Sequence, residues 1–270
     1  MLGKLIKDEV KSYRFSFGII FFTGIIFTIF MKGICMIPYK GEAKSVVQAF
    51  AILGYILILA VMGIAAQVLV VIRFYSTMVG DRGYLTWTLP ATSATHLWSK
   101  LIGGTLWKTL TIIVTVVLVL IFFSGNYWIW YEELGANTMD MLLRGLANDI
   151  RQNVDTTDII IMVLQLISGI VWSAAALLLI YMCIAIGQLF GKWRILASVG
   201  IYFAIVIALQ IISTVGVVLL ALVQRENYEV TYNTTQDIVY SMVSIIIGIA
   251  ASAGLFAITN YIFKKHLNLD

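Results

Sequence analysis

Six separate stretches of this chain are each predominantly apolar over more than twenty residues, at 15–37, 46–72, 101–123, 159–190, 195–223 and 238–263. Runs of this length constrain the fold above all else, because about 20 apolar residues rising 1.5 Å each cross the roughly 30 Å hydrocarbon core of a bilayer. In lipid every backbone N–H and C=O must be satisfied within the protein, so an isolated run of this kind has to be helical. Only two prolines occur in the 270 residues, which leaves the helices free to run unbroken. The expected fold is an all-α membrane protein with six transmembrane helices, forming one transmembrane domain over residues 1–270. The fourth and fifth runs are long enough to require tilt or protrusion.

Charged residues make up 12% of the chain against about 25% in an ordinary soluble domain, so water is not its main solvent. The net charge of +4 does not point to nucleic acid, because the lysines and arginines sit in short clusters beside the apolar runs. Cys35 and Cys183 both fall inside apolar runs and behave there as small hydrophobes, so no disulfide framework follows.

An even number of crossings puts both termini on one side, and the positive-inside rule says which. The N-terminal segment, the 73–100 loop, the turn with Lys192 and Arg194, and the tail with Lys264 and Lys265 hold eleven basic residues. Lys108, just inside the third run, makes twelve, against the four acids Asp8, Glu9, Asp81 and Asp270. The other side holds six basic residues and ten acids. Both termini are therefore expected in the cytoplasm, with the chain in the cell membrane as a multi-pass protein, read as a bacterial plasma membrane.

Residues 1–14 interleave Leu2, Leu5, Ile6 and Val10 with Lys4, Lys7, Lys11 and Arg14, the pattern of an interfacial helix on the inner leaflet. The segment that follows lacks a small-residue cleavage site and is read as a retained first span rather than a signal peptide. The extracellular loop over 124–158 opens with Trp128, Trp130 and Tyr131, suited to the membrane interface. Within it, Met139, Leu142, Leu143, Leu146 and Ile150 recur at helical spacing among charged residues, as in an amphipathic helix. Such a helix either rests passively on the surface or caps a translocation path.

The chain carries no catalytic motif that we can identify. His96 and His266 have no partners at metal-binding spacing, and no G-x-S-x-G elbow occurs. Gly187 to Lys192 faintly echoes a phosphate loop, but the spacing is wrong and Trp193 stands where a serine or threonine is required. No cofactor is expected on this chain. The predicted hydrocarbon centres contain no Asp or Glu, which argues against a proton-coupled pump. Lys32 and Lys108 lie near span ends, where a long side chain snorkels to the interface. Gln67, Gln165, Gln210 and Asn260 are polar groups in apolar runs, and either join helices together or line a substrate path. Gly169 with Ser173, and Gly248 with Ser252 and Gly254, are spaced for close helix approach.

The most informative stretch is the loop between the second and third runs, RFYSTMVGDRGYLTWTLPATSATHLWSKL over 73–101. Phe74, Met78, Tyr84, Leu85, Trp87 and Leu89 form an aromatic and apolar set beside Arg73, Asp81 and Arg82, while Gly80, Gly83 and Pro90 divide the backbone into short pieces. An aromatic surface rimmed by charge suits a protein groove, although an interfacial helix resting on lipid makes a similar demand.

On Arg73-Phe74-Tyr75, Gly80-Asp81-Arg82-Gly83-Tyr84-Leu85, Thr88-Leu89-Pro90 and Ser99-Lys100-Leu101, the chain resembles the membrane subunits of type-2 ABC exporters, especially compact bacterial permeases similar to exporters of antimicrobial or cytolytic peptides. The resemblance implies a cytoplasmic coupling helix within 73–100, with Asp81, Arg82, Gly83, Tyr84 and Leu85 transmitting the closure of a separate ABC ATPase subunit that binds ATP and Mg. It also implies a second membrane subunit, identical or different, and an amphipathic substrate, a peptide first, with lipid or drug as alternatives. The family's use of the second and fifth spans marks Gln67, Gln210, Ser213 and Thr214 as path-lining positions. The chain departs from the larger exporters in placing its longer outer loop after the third span. The competing reading is the membrane component of a vitamin-type uptake system, and behind it an ion-coupled carrier, which requires inverted repeats and buried carboxylates.

Overall fold

The computed structural model describes residues 2–37, 42–80, 83–88, 90–123, 156–224 and 234–265. Among them the chain forms α1 (Leu2–Met36), α2 (Glu42–Met78), the short α3 (Gly83–Trp87), α4 (Ser93–Phe123), α5 (Thr156–Gly187), α6 (Arg194–Gln224) and α7 (Thr234–Lys265), and no strand. All but α3 are long and apolar enough to cross a membrane. At 31 to 37 residues they reach about 46 to 56 Å, well beyond the hydrocarbon thickness. Their outer faces carry exposed Phe22, Ile64, Leu166 and Ile212, a surface suited to lipid. This is an all-helical, multi-pass membrane protein.

The first helix differs from the sequence expectation in one respect. Residues 2–14 and the first span form a single unbroken helix, because nothing between Leu2 and Met36 breaks it. The expected outer amphipathic helix at 138–154 lies outside the described residues.

Local chemistry accounts for several helix ends. Thr92 caps α4, its hydroxyl accepting the Thr95 backbone N–H at 3.3 Å. Asp237 in the first turn of α7 and Lys264 and Lys265 in its last complement the helix dipole. At the end of α2 the N–H groups of Val79 and Gly80 both reach the Tyr75 carbonyl, at 3.0 and 2.8 Å. A Cβ on Gly80 would stand 3.2 Å from the Ser76 Cα, so the close wrap there suits glycine.

The contacts gather into two compact units, one of Gly3–Ile72 with Ile102–Thr156, the other of Arg73–Leu101 with Thr157–Asp270 and the first two residues. In the first unit α1 and α4 run parallel. The Trp107 indole N–H donates to the Val10 carbonyl at 3.2 Å, its ring stacks on Phe17 at 4.9 Å, and further along the Lys32 ammonium donates to the Ile121 carbonyl at 2.9 Å. α2 runs antiparallel to both, with Tyr55 stacked on Phe122 at 4.1 Å beside buried Cys35 and Ala51. Lys32 therefore does more than snorkel: it satisfies a carbonyl in the last turn of α4, where a cation also meets the negative end of the helix dipole.

In the second unit α5 and α7 run parallel, joined by Ser168 with Ser244 at 3.2 Å and by the Trp172 indole donating to the Ser244 hydroxyl at 3.0 Å. Of the glycines singled out for close approach, Gly248 achieves it: a Cβ there would lie 2.8 Å from Val171. Gly169 and Gly254 have open space instead. α5 turns into α6 at Gly187, packed so tightly on Ser198 and the Arg194 carbonyl that no side chain fits. Beyond that turn α6 is apolar on all sides and almost wholly exposed.

Candidate functional site

The 73–101 loop belongs to the same compact unit as α5 and α7, and its aromatic residues are the means of attachment. Phe74, fully buried in the last turns of α2, stacks on Tyr181 of α5 with ring centroids 3.7 Å apart and planes 7° from parallel. The same ring stands 6.1 Å from Phe263 near the end of α7, and Phe263 in turn stands 6.0 Å from Trp87 of α3. Four rings thus form a continuous set from the short helix to α5 and α7. Such pairs contribute about 0.5–1.5 kcal/mol each beyond the area they bury.

Two hydrogen bonds fix the loop at its ends. The Trp87 indole N–H donates to the Met78 carbonyl at 3.0 Å, tying α3 back onto the last residue of α2. The Ser93 hydroxyl donates to Asn260 Oδ1 at 2.8 Å, tying the start of α4 to α7. Asn260, read from the sequence as helix glue or path lining, acts here as glue. Between these ties α3 buries Gly83 and presents Tyr84, which is 67% exposed, followed by exposed Thr88 and Pro90. One side of a five-residue helix is anchored, and the other leaves a phenol and a turn exposed.

Of the proposed transmission residues, Gly83 is therefore buried at the anchor and Tyr84 faces outward. Asp81 and Arg82 lie outside the described residues, and the Leu85 side chain is likewise not described. Spacing alone did not identify Trp87, Tyr181, Phe263 and Ser93 as the groups that hold the loop. Trp87 was visible as one of the loop's aromatic residues, but its partners lie far along the chain and carry no local signal.

Further along α4, His96, Ser99 and Lys100 are buried. The Ser99 hydroxyl donates to the His96 carbonyl at 2.7 Å, and the His96 ring lies 5.8 Å from Trp87. Among the described residues no group of His, Cys, Asp or Glu is arranged to hold a metal ion. The region is held by one stacked ring pair, Phe74 on Tyr181, and by tilted contacts of Phe263 with Phe74 and Trp87.

The proposed path residues fall in separate places. Gln67 is half-buried on the part of α2 that belongs to the first unit, while Gln210, Ser213 and Thr214 lie exposed on α6 in the second. The hydroxyls of Ser213 and Thr214 donate back to the Gln210 carbonyl at 2.9 and 2.8 Å, so both are satisfied within their own helix.

No family model matches the chain, and no curated protein or solved structure is similar to it.

Proposed function

We propose that this chain is the membrane permease subunit of an ATP-driven ABC exporter, moving an amphipathic substrate, most readily a peptide, out of the cell with energy from a separate ATPase. The observation that carries the reading is the joint built on α3, held by Trp87 on Met78 and by the ring set Trp87–Phe263–Phe74–Tyr181, with Tyr84 turned outward. A pushing or closing ATPase bound over Tyr84 displaces α3 as one piece. Close-packed rings do not compress, so the displacement passes into α5 and α7. The missing phosphate loop in the sequence fits this division of labour, in which ATP and Mg bind on the partner.

On this reading the loop and both termini are cytoplasmic, in keeping with the basic excess on that side. The charged leading stretch of α1 lies at the inner leaflet. A second membrane subunit completes the path, with Gln67, Gln210, Ser213 and Thr214 facing the space between the two.

The test is co-purification of the chain with an ABC ATPase subunit from the same cells, followed by peptide transport in vesicles. Charge reversal at both Asp81 and Arg82, with Tyr84→Ala, is expected to release the ATPase and stop transport. Transport that survives all three changes overturns the reading. Stoichiometric retention of a small vitamin by the isolated chain would favour the uptake alternative.

A further inference from the structure

Within the second unit a cavity of about 370 Å³ opens between α4, α5 and α7. That is the size of a small-molecule site, which typically runs from roughly 300 to 1,000 Å³. Its walls are hydrocarbon: Leu101 on α4, Val171 and Leu178 on α5, Ile249, Ala253 and Phe256 on α7. Ser252 also reaches the wall, but its hydroxyl already donates to the Gly248 carbonyl at 2.7 Å. Ordered water needs two to four polar partners, which such walls do not supply. Apolar matter is what they accept, and unfilled space would forfeit dispersion contacts along the whole lining.

The surroundings identify which apolar matter. Ala253 and Ile249 are exposed on the lipid-facing side, so the cavity opens toward the bilayer. Trp98, 46% exposed and 4.8 Å from Phe256, stands at one side of it, and tryptophan favours the level of lipid headgroups. The Ser93–Asn260 hydrogen bond lies about one helical turn beyond Phe256 along α7. Two turns beyond Phe256, about 12 Å along the axis, α7 ends in exposed Lys264 and Lys265, the latter with its ammonium 5.0 Å from the Tyr261 ring. Lys264 follows Phe256 and Asn260 at four-residue steps and so continues their face of the helix. An apolar slot below a tryptophan, with cations above it within the depth of one leaflet, matches a lipid whose headgroup is anionic.

We propose that this cavity holds one acyl chain of an anionic glycerophospholipid, with its phosphate at Lys264. Apolar attraction alone does not select the ligand, since lipid tails solvate apolar walls everywhere along the helices. Selection comes from the cavity's shape and from Lys264, which contributes about fivefold in favour of an anionic over a zwitterionic headgroup. The bound chain fills the space between α4, α5 and α7, and so stiffens α5 and α7, which the ring set also joins. The site stands independently of the transport reading, because it rests on a different set of residues.

The experiment uses the full chain purified in detergent, with native mass spectrometry and two probes of identical acyl chains, phosphatidylglycerol and phosphatidylcholine. The expected result is one retained phosphatidylglycerol per chain, favoured severalfold over phosphatidylcholine. Ala253→Trp, which fills the cavity, and the milder Ala253→Leu are expected to reduce retention. Lys264→Gln is expected to remove the headgroup preference while a lipid is still retained. Unchanged retention in both Ala253 variants, equal retention of the two lipids by the wild type, or an unchanged preference in the lysine variant overturns the proposal. A second measurement avoids variants that fail to fold: in the wild-type chain, phosphatidylglycerol with a photoreactive acyl chain is expected to label peptides covering 171–178 and 249–256. Labelling spread evenly over these and the exposed faces of α6 overturns the proposal as well.

Discussion

The indole N–H of Trp87 donates to the Met78 carbonyl at 3.0 Å, closing the chain between the end of α2 and the short helix into a tied loop. Trp87→Phe keeps a ring against Phe263 but removes the donor, leaving the carbonyl of the buried Met78 without that bond. A loss of about 1 kcal/mol is expected, seen as a lowered thermal midpoint of the purified chain. Transport should fall further than stability, because α3 then moves without carrying the end of α2. Equal loss of both would mean that the bond serves stability alone.

Tyr84 offers the opposite separation. As an exposed side chain on the free side of α3, its replacement by alanine should change stability by no more than about 0.5 kcal/mol. On the proposed function, binding to an ATPase, measured as co-purified subunit, should nevertheless drop. A Tyr84→Ala chain that binds its ATPase as the wild type does would remove Tyr84 from the docking surface.

Phe74 and Tyr181 stack at 3.7 Å, near enough to be energetically coupled. A double-mutant cycle of Phe74→Leu and Tyr181→Leu, read by thermal unfolding, should give an interaction energy of about 0.5–1.5 kcal/mol. Simple additivity would mean that the two rings act independently.

Gly187 sits where a Cβ would collide with Ser198 Oγ and stand 2.8 Å from the Arg194 carbonyl oxygen. Gly187→Ala should therefore push α5 and α6 apart and cost roughly 1–3 kcal/mol, measurable as loss of folded protein in membranes. Adding Ser198→Ala should restore part of this, since the hydroxyl obstacle goes and the backbone one stays. No recovery in the double variant would place the obstacle in the Arg194 carbonyl and the Ser198 Cβ, which stands 2.9 Å away.

Lys32→Met should cost about 1 kcal/mol through the lost bond to the Ile121 carbonyl at the C-terminal end of α4. Thermal unfolding of the variant checks this. A midpoint equal to that of the wild type would return Lys32 to simple snorkelling.

The crossing helices were legible in the sequence because their cause is local. Length and hydropathy within each apolar run suffice, and one helix of the structure corresponds to each of the six runs, from Leu2–Met36 to Thr234–Lys265, with ends differing by zero to thirteen residues. The differences at the start of α1, thirteen residues, and at the end of α2, six, have one physical reason. Hydropathy marks where lipid stops, whereas a helix stops only where its backbone is capped or broken. α1 accordingly begins at Leu2 rather than near Phe15, and α2 continues to Met78 before wrapping at Gly80.

The loop was legible only as a composition. Its aromatic residues and its glycines stood out, but a residue's type does not say which partner it meets. Phe74 reaching Tyr181, Trp87 reaching Phe263 and Ser93 reaching Asn260 are encounters between segments far apart along the chain. The sequence by itself therefore determined six helices, their approximate extents and the unusual character of residues 73–101. Tertiary packing alone decided which side of α3 is anchored, which side Tyr84 presents, and that α4, α5 and α7 leave a slot lined with hydrocarbon. The reason is the range of the forces: solvent preference acts on each run separately, whereas ring stacking and cavity shape exist only once distant segments touch.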